Sequence, residues 1–181
     1  MSRSVIPDVG PLQREKHAFL SELNGWLPAQ ICFRCAPGSW SALEVIDHVV
    51  KAERGILADI QRNLIQSNYV PLSHRIRSYL LIRFMRTPAR VEVPGALAAA
   101  VLPGIDLNLP TLIATWNDSQ IRIRQWREEF RGNSHEMAAF YHPVSGWMNV
   151  SQALSFIAAH TRHHRYQLAR IRKNSAWSRA R

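Results

Sequence analysis

The stretch Asn149–Lys173, NVSQALSFIAAHTRHHRYQLARIRK, decides how this chain folds. Asn149 followed three residues later by Gln152 is a capping-box pattern, in which each side chain satisfies a backbone N–H that a helix start leaves open. From there Leu154, Ile157, His160 or Thr161, His164, Leu168 and Ile171 recur at helical spacing and trace one face. Arg162, Arg165, Arg172 and Lys173 make the opposite, basic face. The pattern predicts a helix from Val150 to Lys173 whose apolar stripe must be covered by other helices.

Three more segments carry the same periodicity. The first runs from Pro11 to Trp26 on Leu12, Phe19, Leu20 and Leu23, with Asn24-Gly25 as its stop signal. The second runs from Ala42 to Gln66. Ser41 and Glu44 give it an S-x-x-E capping box, with Trp40 placed to staple onto Val45. The third runs from Pro110 to Arg131 on Leu112, Trp116, Ile123 and Phe130, and exits at Gly132-Asn133. Apart from a brief alternation at Arg90–Val93, no segment shows the period of two that a sheet requires. The expectation is therefore an all-α four-helix bundle. Residues 67–109 form a long crossover containing Pro71, Pro88, Pro94 and Pro103, long enough for helices two and three to run parallel. Within it, Ser73–Arg86 reads as an extra helix. Residues 174–181 read as a basic tail, and residues 1–181 as one domain.

The composition fits an ordinary globular domain: 181 residues, 46% hydrophobic and 20% charged, which excludes a disordered tail protein. No apolar run approaches the roughly 18–20 residues that cross a bilayer. The opening MSRSVIPDVGPLQREK lacks the apolar core of a signal peptide, so the expectation is a cytoplasmic protein. Cys32 and Cys35 form a lone CxxC with no second pair to complete a zinc site, and read as two reduced thiols in a loop. The net charge of +10 gathers in Ser73–Arg90 and Arg162–Arg181. A basic helix around YLLIRFM could lie on an anionic membrane or nucleic acid, or pack its apolar side on the bundle with solvated arginines outside. Packing is preferred, because no nucleic-acid motif accompanies the charge. A third reading puts arginines at the mouth of a site, where they hold carboxylates of an anionic ligand.

The histidines carry more information. His160 and His164 are four residues apart within the apolar stripe, which stacks them on one face at roughly 6 Å between Cβ atoms. That spacing suits two imidazoles on one metal ion. His163 lies about 100° round the helix from His164 and is poorly placed to join both. On helix two, His48 shares a face with Val45, Ala52 and Ile56. Three inward imidazoles would hold a divalent ion and leave a coordination position open, the pattern of a catalytic metal site. Such an ion lowers the pKa of bound water to about 7, or ionises and orients a thiol. The bland alternative makes each a core histidine with a hydrogen-bond partner. For His160 and His164 it demands partners for all their ring nitrogens.

The stretch WSALEVIDHVVKAERG, with Trp40, Ser41, Glu44 and His48, resembles the second-helix motif of the DinB/YfiT-like superfamily. HPVSGWMNVSQALSFIAAHTRHHRYQL resembles the last-helix motif of its DinB-like branch, through His142-Pro143, Gly146, the H-x-x-x-H of His160 and His164, and Gln167. The resemblance spans nearly the whole chain, including the long crossover. It implies an up-down-down-up four-helix bundle, often dimeric, binding nickel, zinc or a related divalent ion through His48, His160 and His164. It further implies a metal-dependent hydrolase or a thiol-dependent S-transferase acting on a small molecule, in some members with bacillithiol or mycothiol. The competing class is a non-enzymatic, stress-related protein binding nucleic acid or another anionic partner through its basic surface. Spacing identifies no general base. His142, in the loop before the last helix, along with Gln167, Glu44 and His163, are candidates for a supporting shell around the metal. The capping box already accounts for Glu44.

Overall fold

The computed structural model describes residues 5–63, 69–90 and 102–180. Gln66, expected to end helix two, Pro94 and the Val91–Val93 part of the expected alternation lie outside the described residues. The elements are α1 (Gly10–Ser21), α2 (Pro28–Ile31), α3 (Ala42–Asn63), α4 (Leu72–Met85), α5 (Leu109–Glu129), β1 (Ala138–His142), β2 (Gly146–Asn149) and α6 (Val150–Arg172). A 3-10 turn follows at Trp177–Arg179. Within the stretch read as a tail, it sets Trp177 edge-on against Trp26 at 4.7 Å between ring centres.

The helix starts form as their sequences dictate. The Ser41 N–H donates to Glu44 Oε2 at 2.9 Å and the Glu44 N–H donates back to Ser41 Oγ at 3.3 Å. Gln152 N–H donates to Asn149 Oδ1 at 2.8 Å, and the Asn149 N–H donates to Gln152 Oε1 at 3.3 Å. At α5, Asn108 Oδ1 accepts from the Thr111 N–H at 3.1 Å. Each cap satisfies donors that the first helical turn leaves open.

The interior divides into two apolar clusters. One joins Leu12 of α1, Ile56 and Ile60 of α3, Ile82 and Met85 of α4, Ile123 of α5, and Leu154 and Ile157 of α6. The other joins Phe19 of α1, Val45, Ile46 and Val49 of α3, Leu112 and Trp116 of α5, and Leu168 and Ile171 of α6. The run YLLIRFM on α4 buries Ile82 and Met85, but leaves Tyr79, Leu80 and Phe84 exposed. No helix among the described residues is long and apolar enough to cross a membrane.

The helical bundle carries a sheet that the all-α expectation lacked. β1 and β2 pair antiparallel, with Tyr141 opposite Trp147 and His142 opposite Gly146. A register shift between Ala138 and Phe140 buries Ala138 and Ala139 in succession, which removes the alternation a sequence reader looks for. Gly146 adopts φ +82°, and a Cβ there would stand 2.7 Å from His74 Nδ1. The glycine lets α4 dock closely enough for His74 Nδ1 to accept the Trp147 N–H at 3.1 Å.

A buried carboxylate ties α3 to α5. Glu53, 2% exposed, accepts from Trp116 Nε1 at 3.0 Å, Ser119 Oγ at 2.9 Å and Gln120 Nε2 at 2.9 Å. Burial outweighs these bonds and the nearby Lys16 charge, and holds the carboxyl above its usual range. Replacing Glu53 by Ala strips several buried donors of their acceptor at once, so Glu53→Ala loses about 2–4 kcal/mol in urea denaturation at neutral pH. Asp118→Ala, which breaks only an exposed pair with Arg122, costs under about 1 kcal/mol in the same measurement.

Candidate metal centre

α3 and α6 bring His48, His160 and His164 together. His160 Nε2 lies 3.2 Å from His48 Nε2 and 3.2 Å from His164 Nε2. One nitrogen from each ring falls within 4.8 Å of the other two. Nitrogens at about 2.0–2.1 Å from one ion, in tetrahedral to octahedral angles, stand roughly 2.9–3.4 Å apart. The two distances from His160 Nε2 match that separation, and the third pair lies within 4.8 Å. The bonding also points to a cation. A single ring nitrogen offers one hydrogen or one lone pair, so His160 Nε2 does not close linear hydrogen bonds with both neighbours. A cation takes a lone pair from each.

The surroundings prepare the rings to act as ligands. His164 Nδ1–H donates to Gln167 Oε1 at 2.8 Å, which leaves the Nε2 lone pair directed at the cluster. Trp40 packs on His48 at 4.9 Å and Phe156 on His160 at 5.8 Å between ring centres. Burial holds His160 and His164 well below the usual imidazole range, and the neighbouring histidines lower them further. His160 and His164 are therefore neutral at physiological pH, the form that ligates metal. Beneath them Asp47 accepts the Gly104 N–H at 2.8 Å and pairs with Lys51 at 2.7 Å, fixing the connection into α5 over α3. The cluster opens on a cavity of about 1250 Å³.

The remaining candidates separate. His142, expected in a loop, is the last residue of β1, because its backbone pairs with Gly146 across the hairpin. Its Nδ1 accepts the Val144 N–H at 3.2 Å, and its ring packs on Phe156 at 4.9 Å. Burial lowers its pKa to about 4. His163 meets His164 edge-on at 5.4 Å and also lines the cavity, with its buried Nδ1 lacking a partner among the described residues. Burial, then the Arg170 charge, lowers its pKa. Glu44 is held at the α3 start by Ser41 and by both ends of the Arg34 guanidinium at 2.6 and 2.9 Å. Burial raises its pKa, yet these bonds carry it below the ordinary value. It does not line the cavity. Cys32 and Cys35 are free thiols after the short helix α2, and Cys35 reaches the cavity wall. Sequence reasoning missed Phe156 and Arg170 as cavity residues. Phe156 stands one turn before His160 and could have been found by the same i, i+4 rule.

Comparison with known proteins bears on the fold and the family. No curated protein matches the sequence. A solved structure, the crystal structure of TT2238, a four-helix bundle protein, superposes with a TM-score of 0.52 at 19% identity, over 88% of this chain and 93% of that one. That likeness establishes the four-helix bundle as the architecture. The family model of the DinB superfamily matches residues 12–168, a span that includes His48, His160 and His164, and the chain belongs to the DinB superfamily.

Proposed function

We propose that this protein holds one divalent metal ion on His48, His160 and His164 and uses it in a hydrolase or thiol S-transferase reaction on a small molecule. The observation that carries the reading is the convergence of three imidazole nitrogens within 4.8 Å of one another on the wall of a cavity. Nickel and zinc suit an all-nitrogen set. Bound there, the ion supplies Lewis acidity to an oxygen or sulfur group of the substrate. A low-molecular-weight thiol is the natural co-substrate for the transferase form.

The protein's own groups shape the rest. Gln167 holds the proton on His164 Nδ1 and so keeps Nε2 available. His142 accepts at Nδ1, so its neutral ring keeps its hydrogen on Nε2 and offers a donor from the cavity wall. With a pKa near 4 it stays neutral as pH rises above that value, and it acts at neutral pH as a hydrogen-bond donor, not as a cationic acid. We further read the chain as one DinB-like domain that pairs as a homodimer, with an up-down-down-up course and α4 in the crossover. Supporting the parallel course of α3 and α5, Glu53 meets Trp116–Gln120 while Val49 and Ile56 flank it in the clusters holding Leu112 and Ile123.

Protein purified from cells supplied with nickel and zinc should contain about one divalent ion per chain, read by elemental analysis. His160→Ala and His164→Ala should each lose it while retaining a helical circular dichroism spectrum. Metal-free wild-type protein after such growth would sink the reading. Gln167→Leu should keep full occupancy at saturating metal but bind about 10–100-fold more weakly in competition with a chelator. Unchanged affinity would remove Gln167 from the metal's support.

A further inference from the structure

The cavity has a direction. Along α6, Phe156, His160, His164, Gln167, Arg170 and Lys173 follow one another on its wall. Before the histidines the wall is apolar, with Phe156 stacked on Phe140 of β1 at 6.3 Å and Met85 of α4 and Ile56 of α3 beside them. Beyond the histidines it is cationic, with Arg170, Lys173 and, from the segment after α4, Arg90. Arg170 Nη1 donates to the Pro88 carbonyl at 3.3 Å and Tyr166 Oη donates to the Arg86 carbonyl at 3.2 Å, which fastens that segment to α6, and Arg90, two residues on, lines the same cavity.

Among the described residues these cations have no carboxylate partner. The other charges on the wall are neutralised locally, Lys51 by Asp47 at 2.7 Å and Asp59 by Arg62 at 3.1 Å. Arg170 spends one donor on Pro88 and has several N–H groups left. Burial lowers its pKa and the Arg90 charge lowers it further, the mark of like charges held together. Two arginines lining the same end of a largely apolar cavity form a site that an anion would occupy favourably.

We propose that the cavity takes an amphiphilic acid, with its apolar acyl or aryl group against Phe140 and Phe156, its carboxylate on Arg170 and Arg90, and a polar linkage between them at the three histidines. The middle element rests on the metal reading above; the two ends do not. Six residues separate His164 from Arg170, about 9 Å along the helix axis, and helical side chains lean towards the N-terminus. The guanidinium thus reaches back towards the histidines, and a linkage only a few bonds from the carboxylate satisfies both. The volume, about 1250 Å³, holds such a molecule with an alkyl chain of moderate length.

The test compares N-octanoylglycine with N-octanoylglycinamide, equal in chain and linkage and different in charge, by calorimetric titration of the full chain incubated with zinc. The acid should bind at least about tenfold tighter, the value of one charge-assisted hydrogen bond. In the double variant Arg90→Gln, Arg170→Gln that preference should shrink to within about twofold, with amide binding, zinc content and melting temperature unchanged. In His164→Ala, which lacks the metal, the acid preference should persist. Three outcomes overturn the proposal: equal affinity or no binding of the two probes by wild type, a preference that survives loss of both arginines, or one lost with His164 instead. Absence of zinc from the wild type with the acid preference intact would reject the metal reading and leave the cationic end standing.

Discussion

Three imidazoles packed between α3 and α6, two of them buried, are the constraint around which the rest of the molecule is arranged. Burying polar rings without partners costs several kcal/mol each, and the cost falls only if every nitrogen is occupied. Gln167 occupies His164 Nδ1, and His160 Nε2 stands 3.2 Å from the Nε2 atoms of both other rings. The two apolar clusters, rich in Ile, Leu and Val, keep α3 and α6 pressed together on either side of the rings. A bundle of apolar residues alone would fold more easily; this one spends part of its packing energy holding a polar site in place. Local rules of good packing give way where a site is built.

The bundle was legible because its signals are local. Capping boxes at Ser41/Glu44 and Asn149/Gln152 depend only on residues three apart, and both form. The histidines could be sorted by face because α3 and α6 are long and their apolar stripes continuous. What escaped was set by contacts distant in sequence. The hairpin Ala138–Asn149 depends on a bulge that breaks its alternation, and on His74 receiving the Trp147 N–H from across the fold. The role of Glu53 was equally hidden, since nothing in its surroundings along the chain announces Trp116, Ser119 and Gln120, more than sixty residues away. Arg170 read as one more member of a basic tract until the fold laid Pro88 and Arg90 against it.

The charge and the histidines, which look like separate oddities of the sequence, meet in the cavity. Some arginines do what surface arginines do: Arg34, Arg62, Arg122, Arg162 and Arg165 sit beside carboxylates, where exposed pairs contribute little. Arg90 and Arg170 line the cavity instead, and no carboxylate pairs with either among the described residues. An anion bound at that end would relieve the repulsion between like charges there. On the same helix, two turns earlier, the same reasoning applies to the imidazoles. The two readings call for partners of opposite sign: a cation for the histidines, an anion for the arginines. A substrate that bridges the two satisfies both demands at once, with its carboxylate neutralising one end and its polar linkage meeting the other.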